Sequence, residues 1–163
     1  MKKYKVIIIA LNLVLVLIFF HYSINRKETI LREGKLILLE LAPYDPRSYL
    51  QGDYMDLRYA IANESPATED IPKRGYCVIQ LDSGLIAKRV RLQPNRTPLS
   101  QGEYLIEYTA PRYWRINIGA ESFFFQEGQA GKYARAKYGG IKVDAKGNSV
   151  LIGLYDEQKK LIQ

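Results

Sequence analysis

Histidine and cysteine are nearly absent from this 163-residue chain, where His21 and Cys77 each stand alone. A single histidine that precedes the body of the chain excludes Ser-His-Asp and Cys-His catalysis there, and a His-ligated zinc site with it. One cysteine leaves no internal disulfide. Cys77 lies in the apolar run Tyr76-Cys77-Val78-Ile79, so a buried, inert thiol is expected. A phosphate-binding glycine loop is also missing, since Gly128 to Gly131 lacks the pattern. No cofactor and no metal site are expected.

Acid is absent from residues 1–27, which carry Lys2, Lys3, Lys5, Arg26 and Lys27. The formal net charge is +7, but from residue 28 onward 19 Lys and Arg face 17 Asp and Glu. The excess belongs to the amino-terminal segment, and nucleic acid is not an expected partner. Between the basic ends, Val6 to Phe20 is apolar except for Asn12. From Tyr4 to Ile24 a helix would be about 30 Å long at ~1.5 Å per residue, roughly one bilayer core. The basic amino end predicts that this end stays in the cytoplasm. A cleaved signal peptide is the competing reading, but no small-x-small cleavage site precedes Arg26. The expectation is an uncleaved single-pass anchor in a bacterial-type cytoplasmic membrane, with the domain on the extracytoplasmic, periplasmic side.

The remainder reads as mainly β (α+β): one compact antiparallel β domain with one short helix. The expected organisation is an anchor over 1–27, a linker over 28–34 that is a polar spacer or a short continuation of the helix, a domain over 35–155, and a polar tail over 156–163 that frays. Lys35 to Ala42 and Tyr54 to Ile61 read as strands, the second with Met55, Leu57, Tyr59 and Ile61 on one face and Tyr54, Asp56 and Arg58 on the other. Asp82-Ser83-Gly84 predicts a tight hairpin turn between Tyr76–Leu81 and Leu85–Leu92, the returning strand having a basic face. Two strands, Glu103–Tyr108 and Arg112–Ile118, are expected to break at Ala110-Pro111. Phe123 to Phe125 reads as a buried strand or as an apolar lip. Alanine and basic residues from Gly131 to Tyr138, closed by Gly139-Gly140, predict the helix. Ile141–Val143 and Val150–Leu154 make a last hairpin. Gln51-Gly52-Asp53-Tyr54 is echoed by Gln101-Gly102-Glu103-Tyr104, with too little else repeated to indicate a duplication.

Leu41 to Tyr59 is the densest stretch, with two prolines, one glycine, three aspartates, two arginines and four tyrosines. It reads as a shaped polar corner entering a strand. As scaffold, Asp45 and Asp53 would satisfy turns and Gly52 would supply a positive φ. As a recognition surface, Asp45, Arg47, Asp53 and Arg58 would work beside Tyr44, Tyr49 and Tyr54, residue types common in binding hot spots. Two catalytic patterns remain open for an envelope hydrolase. One is a serine-lysine dyad built on Ser48, Ser83 or Ser122; the other is a carboxylate pair drawn from Asp45, Asp53, Asp56, Glu121 and Glu127.

Gly52-Asp53-Tyr54-x-x-Leu57-x-Tyr59, preceded by Pro43-x-Asp45-Pro46-Arg47, resembles the GDYXXXLXY family of uncharacterised membrane-anchored bacterial proteins. Here two residues separate Tyr54 from Leu57, where that name has three. Glu127-Gly128 and the closing Gly147-x-x-Val150-Leu151-Ile152-x-Leu154 run are similar too. The resemblance implies a single-pass envelope protein with a multi-pass membrane partner. It implies no activity, and it offers Asp45, Arg47, Gly52, Asp53, Tyr54, Leu57, Arg58, Tyr59, Glu127 and Gly128 as candidates for binding. The expected role is a non-enzymatic binding or assembly module whose corner and neighbouring basic strand meet an integral membrane protein or an envelope polymer.

Overall fold

A computed structural model describes residues 2–42, 54–63, 71–112, 115–126 and 128–163. Helix α1 (Lys2–Glu33) runs for 32 residues without a break. Its stretch from Tyr4 to Glu33 is long and apolar enough to cross a membrane. At ~1.5 Å per residue the helix is about 48 Å long, some 18 Å more than a bilayer core of about 30 Å needs. The segment expected as a linker is thus helical to Glu33. Gly34 ends the helix: its N–H donates to the Ile30 carbonyl at 2.8 Å, and a Cβ there would lie 2.4 Å from that oxygen.

Strand β1 (Lys35–Glu40) follows, then β2 (Tyr54–Asp56) and a single turn of helix, α2 (Ala60–Asn63). Next come β3 (Arg74–Leu81), β4 (Ala87–Gln93), β5 (Glu103–Arg112), β6 (Arg115–Asn117) and β7 (Ser122–Phe124). Helix α3 (Ala130–Tyr133), β8 (Tyr138–Val143) and β9 (Ser149–Tyr155) complete the order. The strands pair antiparallel in a three-stranded sheet β1-β8-β9, a four-stranded sheet β4-β3-β5-β6 and the pair β2-β7. Leu38 links the two larger sheets, since its N–H donates to Leu85 O at 2.9 Å and it bridges Ile86 in parallel. Ile37 and Leu39 of β1, Ile141 of β8 and Leu154 of β9 share one core with Cys77 and Ile79 of β3 and Ile106 of β5. The Cys77 thiol is buried there, as expected for a cysteine in an apolar run.

The β3–β4 hairpin forms because the Asp82 carboxylate accepts the N–H groups of Gly84 and Ile86 at 2.7 and 2.9 Å. The alternation over 55–61 also holds: Met55, Leu57, Tyr59 and Ile61 are buried, while Asp56 and Arg58 are exposed. The strand itself stops at Asp56, and α2 replaces its expected end.

Four expectations are corrected. The basic face of β4 is not a free surface. A β-bulge after Val78 shifts the register, and Arg89 donates to Ile61 O at 3.2 Å while Arg91 forks onto Glu103 at 2.6 and 2.8 Å. Second, β5 continues through Ala110-Pro111, because β3 pairing has already ended at Thr109 and the β6 register shifts there. A missing N–H costs little at such a place. Third, the expected helix over 131–138 shrinks to α3, and Tyr138-Gly139-Gly140 belong to β8, the central strand of its sheet. Fourth, the tail does not fray: Asp156 accepts the Lys160 N–H at 2.9 Å, Ile162 donates to Leu154 O at 2.9 Å, and its side chain is buried.

The Arg91–Glu103 pair sets an acid limit. The Glu103 side chain is 4% exposed and also accepts the Ser100 N–H at 2.9 Å. The Arg91 hydrogen bond first, and the Ser100 N–H second, hold its carboxyl down to about 2. A glutamate in the unfolded chain titrates near ~4.3. A depressed folded value means the stabilisation is present above ~4.3 and is lost as pH falls from there toward about 2. Urea midpoints of the detergent-solubilised chain should therefore drop across that window. Glu103→Gln should be less stable at neutral pH and show a shallower acid drop.

Candidate functional site

The described part of the corner motif is a strap that crosses the domain and is tied on both sides. Tyr54 opens β2, its backbone opposite Phe124 of β7, with Met55 opposite Phe123 and Asp56 opposite Ser122. Leu57 then leaves the strand and donates its N–H to Glu121 O at 2.6 Å. Arg58 O accepts the Ala42 N–H at 2.7 Å, and Tyr59 bridges Leu41. The Tyr59 hydroxyl donates to Ala120 O at 2.5 Å. Burial first, and the nearby Glu121 charge second, push that phenol far above its ordinary value, so it stays a neutral donor. The Glu121 carboxylate accepts the Ile118 N–H at 2.5 Å and closes the receiving loop.

These bonds sort the candidates. Leu57 and Tyr59 are 2% and 1% exposed, and their side chains fix the strap from the core side. Asp56 and Arg58 lie outside, their charged atoms 3.8 Å apart. Gly128 is exposed at φ +80° in the turn before α3. Asp45, Arg47, Gly52, Asp53 and Glu127 lie outside the described residues. The second copy of the Gln-Gly-acid-Tyr echo is visible: Gly102 turns at φ +83° and Glu103 reaches back to Ser100.

Beside the strap is a cavity of about 280 Å³, lined in part by Leu41, Met55, Asp56, Arg58, Tyr133 and Lys137. Lys137 reaches Glu40 at 3.1 Å, and that hydrogen bond raises its ammonium above the ordinary value. Tyr133 packs at its back against Phe123 and Phe125, with ring centroids 4.9 and 5.4 Å away. Phe124 points the other way and is 75% exposed, so the triple phenylalanine is both core and lip. Among the described residues the lining holds charged and aromatic groups but no serine, cysteine or histidine. Ser83 sits in the β3–β4 turn and Ser122 on β7, while Glu121 and Asp56 serve the loop and Arg58. No three His, Cys, Asp or Glu converge as metal ligands among the described residues. The geometry suits recognition by charge and ring faces.

A second cavity had no local signal in the sequence. It is a cleft of about 920 Å³ between the last turns of α1 and the domain. Its lining brings together residues as distant as Tyr22, Leu99 and Lys146, which only the docking of α1 makes neighbours. That docking uses buried Ile30, Arg26 on Asn148 Oδ1 at 2.6 Å, and Lys142 on Leu31 O at 2.5 Å.

One family model, described as GDYXXLXY protein, matches residues 16–154. Its description has two positions between Tyr and Leu, the spacing of Tyr54 and Leu57 here. No curated protein and no solved structure matches the chain.

Proposed function

The chain belongs to the GDYXXLXY family, and from that premise we propose that it is a single-pass membrane-anchored module that binds and helps assemble an integral membrane partner, without chemistry of its own. Lys2, Lys3 and Lys5 keep the amino end in the cytoplasm, and the β domain stands on the extracytoplasmic side of the inner membrane. Support for the anchor comes from the exposure of α1. A helix apolar all round belongs in a core or a bilayer, and the apolar side chains of residues 6–20 touch no part of the domain closely enough to be buried.

The observation that carries the proposal is the seamless passage of α1 into a docked segment at Ile30 and Arg26. A docked helix fixes the height and facing of the domain above the bilayer. That geometry suits a neighbour held in the same bilayer, because neither side then loses orientational freedom on meeting. Asp56, Arg58 and Lys137, exposed around the strap, are the contact surface.

The test is a pull-down from native membranes in mild detergent, read by mass spectrometry. The wild-type chain should bring down a membrane protein. Arg58→Ala with Lys137→Ala should reduce its recovery about tenfold, the effect of losing ~1.4 kcal/mol of binding, while the domain stays folded. Unchanged recovery, no partner at all, or turnover of an envelope compound by the purified chain would contradict the proposal.

A further inference from the structure

We propose that the cleft between α1 and the β domain takes an anionic phospholipid from the outer leaflet of the membrane that α1 crosses. This rests on the anchored reading above. Three observations point to a lipid. The first is level. The apolar run ends near Ile24, and Arg26, two residues later, bonds Asn148 in the β8–β9 turn. That contact brings the turn, with Lys146 in it, to the height where headgroups lie.

The second is lining. Tyr22, Ile30, Leu99, Tyr104, Leu105 and Val143 give the cleft an apolar wall, and Leu99 is 42% exposed within it. A volume of about 920 Å³ lies within the range for small-ligand sites.

The third is charge. Each carboxylate of the lining already has a partner in the chain. Glu103 is held by Arg91, Glu33 lies 3.2 Å from Arg32, and Asp144 accepts from Lys146 N, Asn148 N and Asn148 Nδ2. The ammonium groups of Lys35 and Lys146 have no ion pair among the described residues. A phosphate diester supplies the missing charge and its acyl chain the missing apolar surface. Lys146 lies at the height where basic groups attract anionic lipid, and Lys35 lines the end of the cleft farther from the bilayer.

The experiment uses the full chain in nanodiscs containing equal phosphatidylglycerol and phosphatidylcholine, released into native mass spectrometry. The wild type should retain several-fold more phosphatidylglycerol than phosphatidylcholine. Lys35→Gln with Lys146→Gln should abolish the preference, whereas Lys159→Gln with Lys160→Gln should keep it. Equal retention of both lipids by the wild type overturns the proposal and leaves the anchor intact. Failure of the chain to enter discs of any composition overturns the anchor and this proposal together. In a second arm, a photo-reactive residue replaces Leu99 in native membranes. Lipid-sized adducts support the proposal; a cross-link to a polypeptide, including a second copy of the chain, overturns it.

Discussion

Tyr59→Ala should lower the unfolding free energy by about 3–5 kcal/mol, the usual cost of emptying a buried aromatic site. Set against a total margin of roughly 5–15 kcal/mol, that removes a large share of the stability. The ring is 1% exposed, and its hydroxyl bonds Ala120 O at 2.5 Å. Tyr59→Phe keeps the ring and leaves one buried carbonyl without its donor, so about 1 kcal/mol is expected. Arg58→Ala, one residue away on the exposed face, should stay within about 0.5 kcal/mol. Chemical unfolding followed by circular dichroism separates the three. Equal effects at 58 and 59 would mean that the strap is not built as described.

Gly139→Ala should cost about 1–3 kcal/mol through overpacking. A Cβ at 139 would lie 2.8 Å from Cε1 of Tyr59. That ring cannot swing away, because it is enclosed and tied by its hydroxyl. At Gly140 the approach is nearer, 2.2 Å from Tyr155, yet Tyr155 is only half-buried and its ring can turn outward. Gly139 should therefore be the more sensitive of the two. Coupling gives the sharper check. Tyr59→Leu with Gly139→Ala should cost less than the sum of the single changes by at least about 0.5 kcal/mol, since the smaller side chain relieves the clash. Strict additivity would rule out the clash as the cause.

These two positions also show where reading the chain succeeds and where it stops. The alternation Met55-Leu57-Tyr59-Ile61 against Asp56-Arg58 is local and correctly divides inside from outside. So is the Asp82-Ser83-Gly84 turn, whose hydrogen bonds span only four residues. Gly139-Gly140 misled because paired glycines after a basic, alanine-rich run suit a helix end. Their actual reason is clearance for two tyrosine rings, one of them 80 residues earlier in the chain. Arg89 and Arg91 misled likewise, since the groups that take up their charge and donors lie on other elements. Of the candidate site, Leu57 and Tyr59 were legible as an apolar face, but their hold on the 118–121 loop was not. The cleft beside α1 depends on contacts across more than 100 residues, such as Arg26 to Asn148, and no window on the sequence contains it.

The orientation of the domain is measured most directly by labelling Ser83→Cys with a membrane-impermeant maleimide. Ser83 is exposed in the β3–β4 turn, and Cys77 is fully buried, so the native chain is its own blank. The account predicts that the protein stays with carbonate-washed membranes and that the new thiol is labelled from outside the intact inner membrane. Recovery in the soluble fraction, or labelling only after that membrane is broken, would contradict it.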